Sequence, residues 1–442
     1  MIVEGMDRVI AEPSRRSRIM GPVLWIGSVV LGSLVAFARL PVTAQGTIWA
    51  EDGGIFLRDA LAGGTLLDVF APYEGYLHVL PRVAAEVVVM LFPVDYFAGA
   101  MNFLSCVTVA LIAGLVFHCS KAMSPNPLVR ICWASITILV APGPLETLGN
   151  FANVHWYLLW AVPWLLLKPA ASRAEGVFLF MVAVFVALTE ILSLMFIPLF
   201  LYRFKDKGHW PARAGLLIGL ACQVATTLFF PRSPSSGYQV NPVSVVQGWF
   251  LNSSSALVFG DSPSIIENIR NFGALPIVLA ALPFLAAFMY ILSKGSRQHR
   301  LLAVVLVVAS VGSWAATQVA NPQRFFDYAG FNDAEWQTFF LSRYSTVPSM
   351  FLLALLPLAA AATEVRVRTA FAAVLSGFLV LQAVYFFPSW VSRQDGPIWA
   401  EGVLVARQAC LNEPTVMSQS VPIAPRGWTW DKVEVSCTLL LR

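Results

Sequence analysis

Charge is what this chain has least of. Lys, Arg, Asp and Glu make up 12% of its 442 residues, about half the ~25% usual in soluble domains. Apolar residues make up 57%, and mean hydropathy is +0.70. Apolar runs of membrane-spanning length recur from end to end, which leaves no room for a large soluble domain. The six cysteines and five histidines form no CxxC pair and no Cys/His cluster, so no metal site is implied. Walker, nucleophile-elbow, dinucleotide and HExxH patterns are all missing, so any energy source would lie in a bound substrate rather than a nucleotide site. The net charge of +4 does not suggest a nucleic-acid partner. The basic residues stand in short clusters between apolar runs, the arrangement that sets membrane orientation.

What is present reads as an all-α polytopic membrane protein. Eleven transmembrane helices are expected, at 19–38, 97–117, 128–142, 153–168, 175–188, 191–203, 213–230, 272–293, 299–320, 343–363 and 367–388. Arg15, Arg16 and Arg18 precede a first run of signal-like character. That run is about 20 residues, against about 7–15 for a signal-peptide core, so it reads as a retained helix with a cytoplasmic N-terminus. Two segments need arbitration. Pro81, Arg82 and Glu86 interrupt 76–92, and Thr189-Glu190 sits mid-way along 175–203, where a carboxylate at the bilayer centre would be costly. Placing 76–92 at the surface and folding 175–203 into a hairpin puts 17 of the 29 lysines and arginines into short loops on one side. The positive-inside rule makes that side cytoplasmic.

The other side then carries the long loops, chiefly 39–96 and 231–271, and most of the acids. A protein that builds its polar surface on one side is expected to work there. The chain divides into a membrane domain, 1–388, and a small extracytoplasmic tail, 389–442. The tail alternates short apolar runs with Pro and Gly, which reads as a β-rich cap, and Cys410 and Cys437 could bridge there in an oxidising compartment. The apolar stretch Val243–Gly260, with its Trp249-Phe250 pair, reads as an interfacial helix.

The strongest local signal follows the first helix: Trp49-Ala50-Glu51-Asp52-Gly53-Gly54. A carboxylate at the edge of the hydrocarbon layer can be desolvated into a general base, and the glycine pair permits close backbone approach. The plainer alternative is a polar loop with two solvated acids. A second signal runs from Tyr73 to Arg82. His78 and Arg82 share a face if the segment is helical, and an arginine fork there matches phosphate oxygens. Pairing of Arg82 with Glu86 is the alternative. His155, Glu190, Arg343 and Tyr344 converge on the same side, where Arg343 needs an anionic partner. For each of these, interfacial anchoring is the competing explanation.

Together these features resemble the C-type (GT-C) membrane glycosyltransferases that use polyprenyl-phosphate sugars. The likeness rests on the acidic pair Glu51-Asp52 after helix one, on juxtamembrane helices around 54–63 and 76–92, on a central hairpin with Glu190 at its turn, and on the C-terminal cap. The resemblance covers the architecture of most of the chain but only about fifty residues as motif, and the cap is smaller than in many relatives. It implies transfer of sugar from a polyprenyl-phosphate donor to an envelope glycan or glycolipid acceptor, on the extracytoplasmic face of the cell membrane, often without a metal, though Glu51, Asp52 and Glu190 could form a cation site if they meet. No cofactor is implied beyond the donor itself. Asp52 or Glu51 would be the base, with Asp52 favoured. His78, Arg82, His155, Glu190, Arg343 and Tyr344 would bind substrate. A transporter or flippase of lipid-linked material and a non-catalytic envelope-assembly subunit are the competing functions. A transporter should place ionisable groups at the bilayer midplane, and here the helix interiors are almost free of charge.

Overall fold

A segment that meets no water must satisfy its backbone internally, and helix is the arrangement open to a single segment. The computed structural model describes residues 15–232, 238–363 and 368–442. It is accordingly mostly helical with little sheet, the make-up of a multi-pass membrane protein. Among the described residues six helical stretches are long and apolar enough to cross a membrane: Val94–Ala122, Pro127–Glu146, Lys207–Phe229, Leu275–Lys294, Arg297–Ala320 and Arg343–Thr363. Shorter apolar helices fill the other expected segments, at Val23–Ala38, Val154–Leu167, Arg173–Ala187, Ile191–Leu201 and Arg368–Val384. Residues 1–14 and 364–367, which hold parts of two basic clusters, lie outside the described residues.

The middle of the bundle is Val154–Leu167, a helix whose every residue is buried. A helix that is apolar all round belongs there. Of its three indoles, Trp160 finds a polar partner, Nε1 donating to Thr137 Oγ1 at 3.0 Å, and on a neighbouring helix Trp133 Nε1 donates to the Ala354 carbonyl at 3.1 Å. Ala354 is where the segment 343–363 breaks into Thr346–Leu353 and Leu355–Thr363. The break lies just before Pro357, which has no N–H to continue the ladder.

The segment 175–203 is a hairpin. Arg173–Ala187 runs alongside Trp210–Phe229 in the same direction. A Cβ on Gly215 would fall 2.2 Å from the Phe180 carbonyl oxygen, and one on Gly219 would fall 2.6 Å from the Ala187 Cβ. The chain between them must therefore return, and it does so through Ile191–Leu201 with Glu190 at the tip. The return leg is a 3-10 helix rather than the α-helix expected from its composition. At ~2.0 Å rise per residue its 11 residues span ~22 Å, matching ~22 Å for 15 α-helical residues at ~1.5 Å. The stretched winding lets the shorter leg keep pace with the longer one.

The basic loops meet at one end of the bundle. His118 and Lys168 both pair with Glu175, at 2.7 and 2.6 Å. The Ala170 N–H donates to Gly208 at 2.8 Å, Gln298 donates to Tyr202 at 2.9 Å, and His299 contacts the Met123 carbonyl at 3.3 Å. The opposite end carries the first loop and the C-terminal segment. In the first loop a π-helical turn, Asp52–Leu57, continues as Arg58–Leu61. A tight hairpin pairs Pro72–Tyr73 with Tyr76–Leu77, its turn made by Glu74 and Gly75 at positive φ. The helix Val79–Leu91 follows. At 13 residues it is too short to span alone.

Two expectations need correcting. The tail is less β-rich than its Pro and Gly content suggests. Its main element is the helix Trp399–Asn412, whose Trp399, Val403, Ala406 and Cys410 form a buried stripe at helical spacing. The only tail sheet among the described residues pairs Ser418–Pro422 with Lys432–Ser436, and Cys410 is disulfide-bonded to Cys437. The tail is also stitched to the first loop: Trp399 N–H donates to Gly46 at 2.9 Å, Ala50 N–H to Ala424 at 2.6 Å, and Ala424 N–H to Ile48 at 3.0 Å. Nor is 243–260 a surface helix along its whole length. The helix Pro242–Phe250 continues through a fully buried π turn, Leu251–Ser255. Asn252 ties the run Asn252–Ser255 inward, while Ser253 and Ser254 bond back to the Trp249 and Phe250 carbonyls of their own helix. Asn252 donates to Tyr328 at 3.1 Å and accepts from Ser345 at 2.7 Å.

Gly215→Leu is expected to push the two parallel helices apart, since backbone atoms cannot yield as a side chain does. A loss of about 1–3 kcal/mol is the usual scale for overpacking. It should appear as a lower thermal unfolding midpoint in detergent, with Gly377→Leu, where a Cβ meets nothing within 4 Å, as the tolerated control.

Candidate functional site

Where the first loop, the hairpin tip and the C-terminal segment come together they enclose a cavity of about 330 Å³, within the size range of small-molecule sites. The local backbone explains how its first residue gets there. Ala50 has φ +40°, a conformation that costs a non-glycine residue energy. It is held by the two backbone hydrogen bonds to and from Ala424. The chain then enters the π turn Asp52–Leu57, with Glu51 as the residue before it.

Glu51 lines the cavity. Its Oε1 lies 3.3 Å from Arg343 Nη1, and its buried Oε2 finds no partner among the described residues. Asp52 does not line the cavity. It is 1% exposed and accepts the backbone N–H groups of Phe151 and Ala152 at 2.9 and 2.6 Å. Burial pushes its carboxyl up to about 7, against the pull of those two donors and of Arg393. Of the two acids, then, Glu51 and not the favoured Asp52 faces the cavity, because two backbone donors occupy the Asp52 oxygens.

Five of the other expected residues meet at this cavity. His78, at 4% exposure, has an unpartnered Nδ1 and stacks at 4.0 Å on Tyr76. Burial, with His155 nearby, holds its imidazole down to about 3, so it stays neutral. His155 Nδ1 is hydrogen-bonded to Glu190 Oε2, whose Oε1 accepts the Leu192 N–H at 2.6 Å and so caps the return leg of the hairpin. Arg343 also holds Glu146, its backbone N–H donating to Oε2 at 2.9 Å. Tyr344 accepts from Asn321 at 3.3 Å and stands edge-on to Trp156 at 5.7 Å. Arg82 is the exception. It pairs with Asp59 at 3.0 Å, not Glu86, and lies over the Phe56 ring at 5.6 Å, off the cavity.

The sequence reading overlooked several lining residues. Arg232 supplies the second guanidinium, paired with Glu74 at 2.9 Å and donating to Asn321 at 2.6 Å. Its signal was a lone cation after Phe229-Phe230-Pro231 at the acid-rich end, against the positive-inside trend. Trp428 and Trp430 arrive from the C-terminal segment; their signal was a Trp-x-Trp in a stretch with no apolar run to bury it. On one flank the lining is apolar or small: Ile191, Leu192, Ala316 and Ala320. Nearby Phe229, Phe230 and Val319 are exposed.

No family model, curated protein or solved structure matches this chain. The site must be read from its own chemistry. Among the described residues no group of three or more His, Cys, Asp or Glu is placed to hold a metal ion. Asn153 Oδ1 and Nδ2 and Trp156 Nε1 join Glu51 Oε2 and His78 Nδ1 as buried polar atoms without partners. These atoms leave hydrogen-bonding capacity at the cavity that a bound polar group could use. The cavity can offer a free carboxylate oxygen, two guanidinium groups, a neutral imidazole, an amide and flat aromatic faces.

Asp52→Ala is expected to lower the unfolding midpoint sharply, since each buried N–H left without an acceptor costs roughly 1–3 kcal/mol. The pH sign follows from the raised carboxyl. The folded protein favours the protonated form, so this contribution is full below the ordinary 3.8 and is lost as pH rises through about 7. The midpoint should therefore fall across that window, and Asp52→Asn should flatten the trend; differential scanning at pH 4 to 8 reads both.

Proposed function

We propose that the chain is a membrane glycosyltransferase of the C-type, moving a sugar from a polyprenyl-phosphate donor to an envelope glycan or glycolipid acceptor. The observation that carries this reading is the pairing, in one cavity, of a carboxylate oxygen without a partner and two guanidinium groups, beside an apolar flank. A lipid-borne phosphate sugar needs each of these. Its hydrocarbon tail stays in the bilayer while its headgroup enters past Ile191, Leu192, Ala316 and Ala320.

In the proposed reaction the acceptor hydroxyl oxygen attacks the anomeric carbon. The bond from that carbon to the phosphate oxygen breaks, and polyprenyl phosphate leaves with the electron pair. The hydroxyl proton passes to Glu51 Oε2. Arg343 and Arg232 stabilise the charge that develops on the departing phosphate, as pre-oriented donors do at a leaving group. His78, neutral and with Nδ1 free, orients a hydroxyl, and His155 with Glu190 forms the polar floor at the hairpin tip. The bond energy comes from the donor, so no cofactor is invoked.

The cell membrane is the proposed location, with the N-terminus cytoplasmic and the cavity extracytoplasmic. Two features support that orientation. The basic loops gather at the opposite end, as the positive-inside rule requires of a cytoplasmic face. The Cys410–Cys437 disulfide at the cavity end suits an oxidising compartment.

Glu51→Gln is expected to cut transfer of radiolabelled sugar from a polyprenyl-phosphate donor by about 10²–10⁴-fold, the usual worth of a positioned base, while donor binding is kept. Transfer at the wild-type rate would remove the catalytic assignment. A cysteine placed at the exposed Gly64, in a chain lacking Cys222, should react with an impermeant maleimide from outside intact cells. Labelling only after permeabilisation would reverse the orientation.

A further inference from the structure

The C-terminal segment closes over the cavity through a small ring of chain. Ile423 N–H donates to the Asp431 carbonyl at 2.8 Å, and Gly427 N–H donates to the Asp431 carboxylate at 3.0 Å, so residues 423–431 form a loop closed at its base. Trp428 and Trp430 stand on this loop and line the cavity. Trp430 packs edge-on to Tyr73 at 6.1 Å, and Trp428 lies 6.3 Å from Trp49. Trp428 nonetheless remains 44% exposed, an unusual state for an indole whose neighbours are aromatic and whose loop is fixed.

The glycine pair after Glu51-Asp52 makes this arrangement possible. A Cβ on Gly54 would sit 2.3 Å from the Trp430 Cβ, and one on Gly53 would sit 2.6 Å from Ile423 Cδ1. The two glycines are thus a seat for the loop, which brings an open indole face to the same cavity as the free Glu51 oxygen. Of the two guanidinium groups proposed to meet the phosphate, Arg232, with Asn321, stands by the end of Arg297–Ala320 and the Tyr73–Leu77 hairpin, and Arg343 stands beside Glu51.

We infer that Trp428 is the acceptor-side sugar platform, a specificity-determining residue that stacks on the C–H face of the acceptor ring and presents one of its hydroxyls to Glu51. This rests on the glycosyltransferase reading and deepens it. An aromatic face suits a pyranose or furanose ring because the ring's axial C–H groups are apolar while its edges carry hydroxyls. The edge partners stand ready in Asn153 and Trp156 Nε1, both unpartnered. The class of ligand is a glycan terminus or glycolipid headgroup, and the donor phosphate is bound without help from this loop.

The test is binding, not turnover. Octyl mannoside, octyl arabinofuranoside and octyl glucoside are titrated by saturation-transfer NMR against the detergent-solubilised full chain, with a short-chain polyprenyl phosphate titrated in parallel. At least one glycoside should bind the wild type. Trp428→Ala should weaken it roughly tenfold or more, and Trp428→Phe should hold it within about threefold, with polyprenyl-phosphate affinity unchanged in both. Gly54→Ala, which displaces Trp430, should mimic Trp428→Ala while leaving the phosphate ligand bound. Glycoside binding unaltered in Trp428→Ala, or no glycoside bound by a wild type that does bind polyprenyl phosphate, would overturn the platform. A parallel loss of both ligands in Trp428→Ala would also overturn it, by showing a merely structural role. Failure of the wild type to bind polyprenyl phosphate at all would instead strike the donor assignment beneath it.

Discussion

A single buried carboxylate joins the two halves of the site. Asp52 takes the N–H groups of Phe151 and Ala152 from a turn a hundred residues away in sequence, and everything at the cavity inherits its position from that latch. Glu51 precedes it, so the latch aims the free carboxylate oxygen. Ala152, one of its two donors, and the next residue, Asn153, both line the cavity, so the latch also fixes that part of the wall. Arg393 supports the same turn from behind, donating to the Leu148 and Gly149 carbonyls at 2.6 and 2.7 Å and to Asn102 at 2.9 Å. A fully buried guanidinium and a fully buried carboxylate thus serve the architecture, while Arg343 and Glu51 line the cavity. The low dielectric that strengthens the latch also makes it costly to leave incomplete.

Much of the fold was legible in the sequence because the bilayer allows few solutions. Apolar runs, basic clusters and the carboxylate at residue 190 were enough to place the helical segments and the hairpin between 175 and 203. The clustering of Lys168, Lys207 and His299 at one end agrees with the charge pattern that placed them. The winding of the return leg was not legible, since composition alone cannot distinguish a 3-10 helix from an α-helix when the choice is set by the length of a neighbouring leg. Likewise, the burial of Asn252–Ser255 depends on partners at Tyr328 and Ser345 that no local pattern announces. The tail was misjudged for a related reason: Pro and Gly near 422–427 mark one loop, yet the helical stripe Trp399, Val403, Ala406 and Cys410 decides the element.

At the site, legibility followed locality. Residues close to an obvious motif, such as Glu51 and His78, were found, as were polar residues at membrane-level turns, such as His155 and Arg343. The different surroundings of the two acids were not visible, because Glu51 meets Arg343 and Asp52 meets the Phe151 and Ala152 N–H groups only through tertiary folding. Arg82 misled because its partner Asp59 comes from the preceding helix and not from its own. Arg232, Trp428 and Trp430 reach the cavity only through tertiary folding, across the whole length of the chain.

The shortness of the central hairpin has a consequence for access. Both legs, at ~22 Å, fall short of a ~30 Å hydrocarbon core. Under the proposed orientation that shortness would seat the cavity within the slab and not on top of it. A headgroup tethered to a membrane-resident tail meets the floor at its own depth, and its anchor need not be lifted into water. Reach along the bilayer normal then discriminates among amphiphiles before any side chain does, favouring those whose polar part hangs just below the interface.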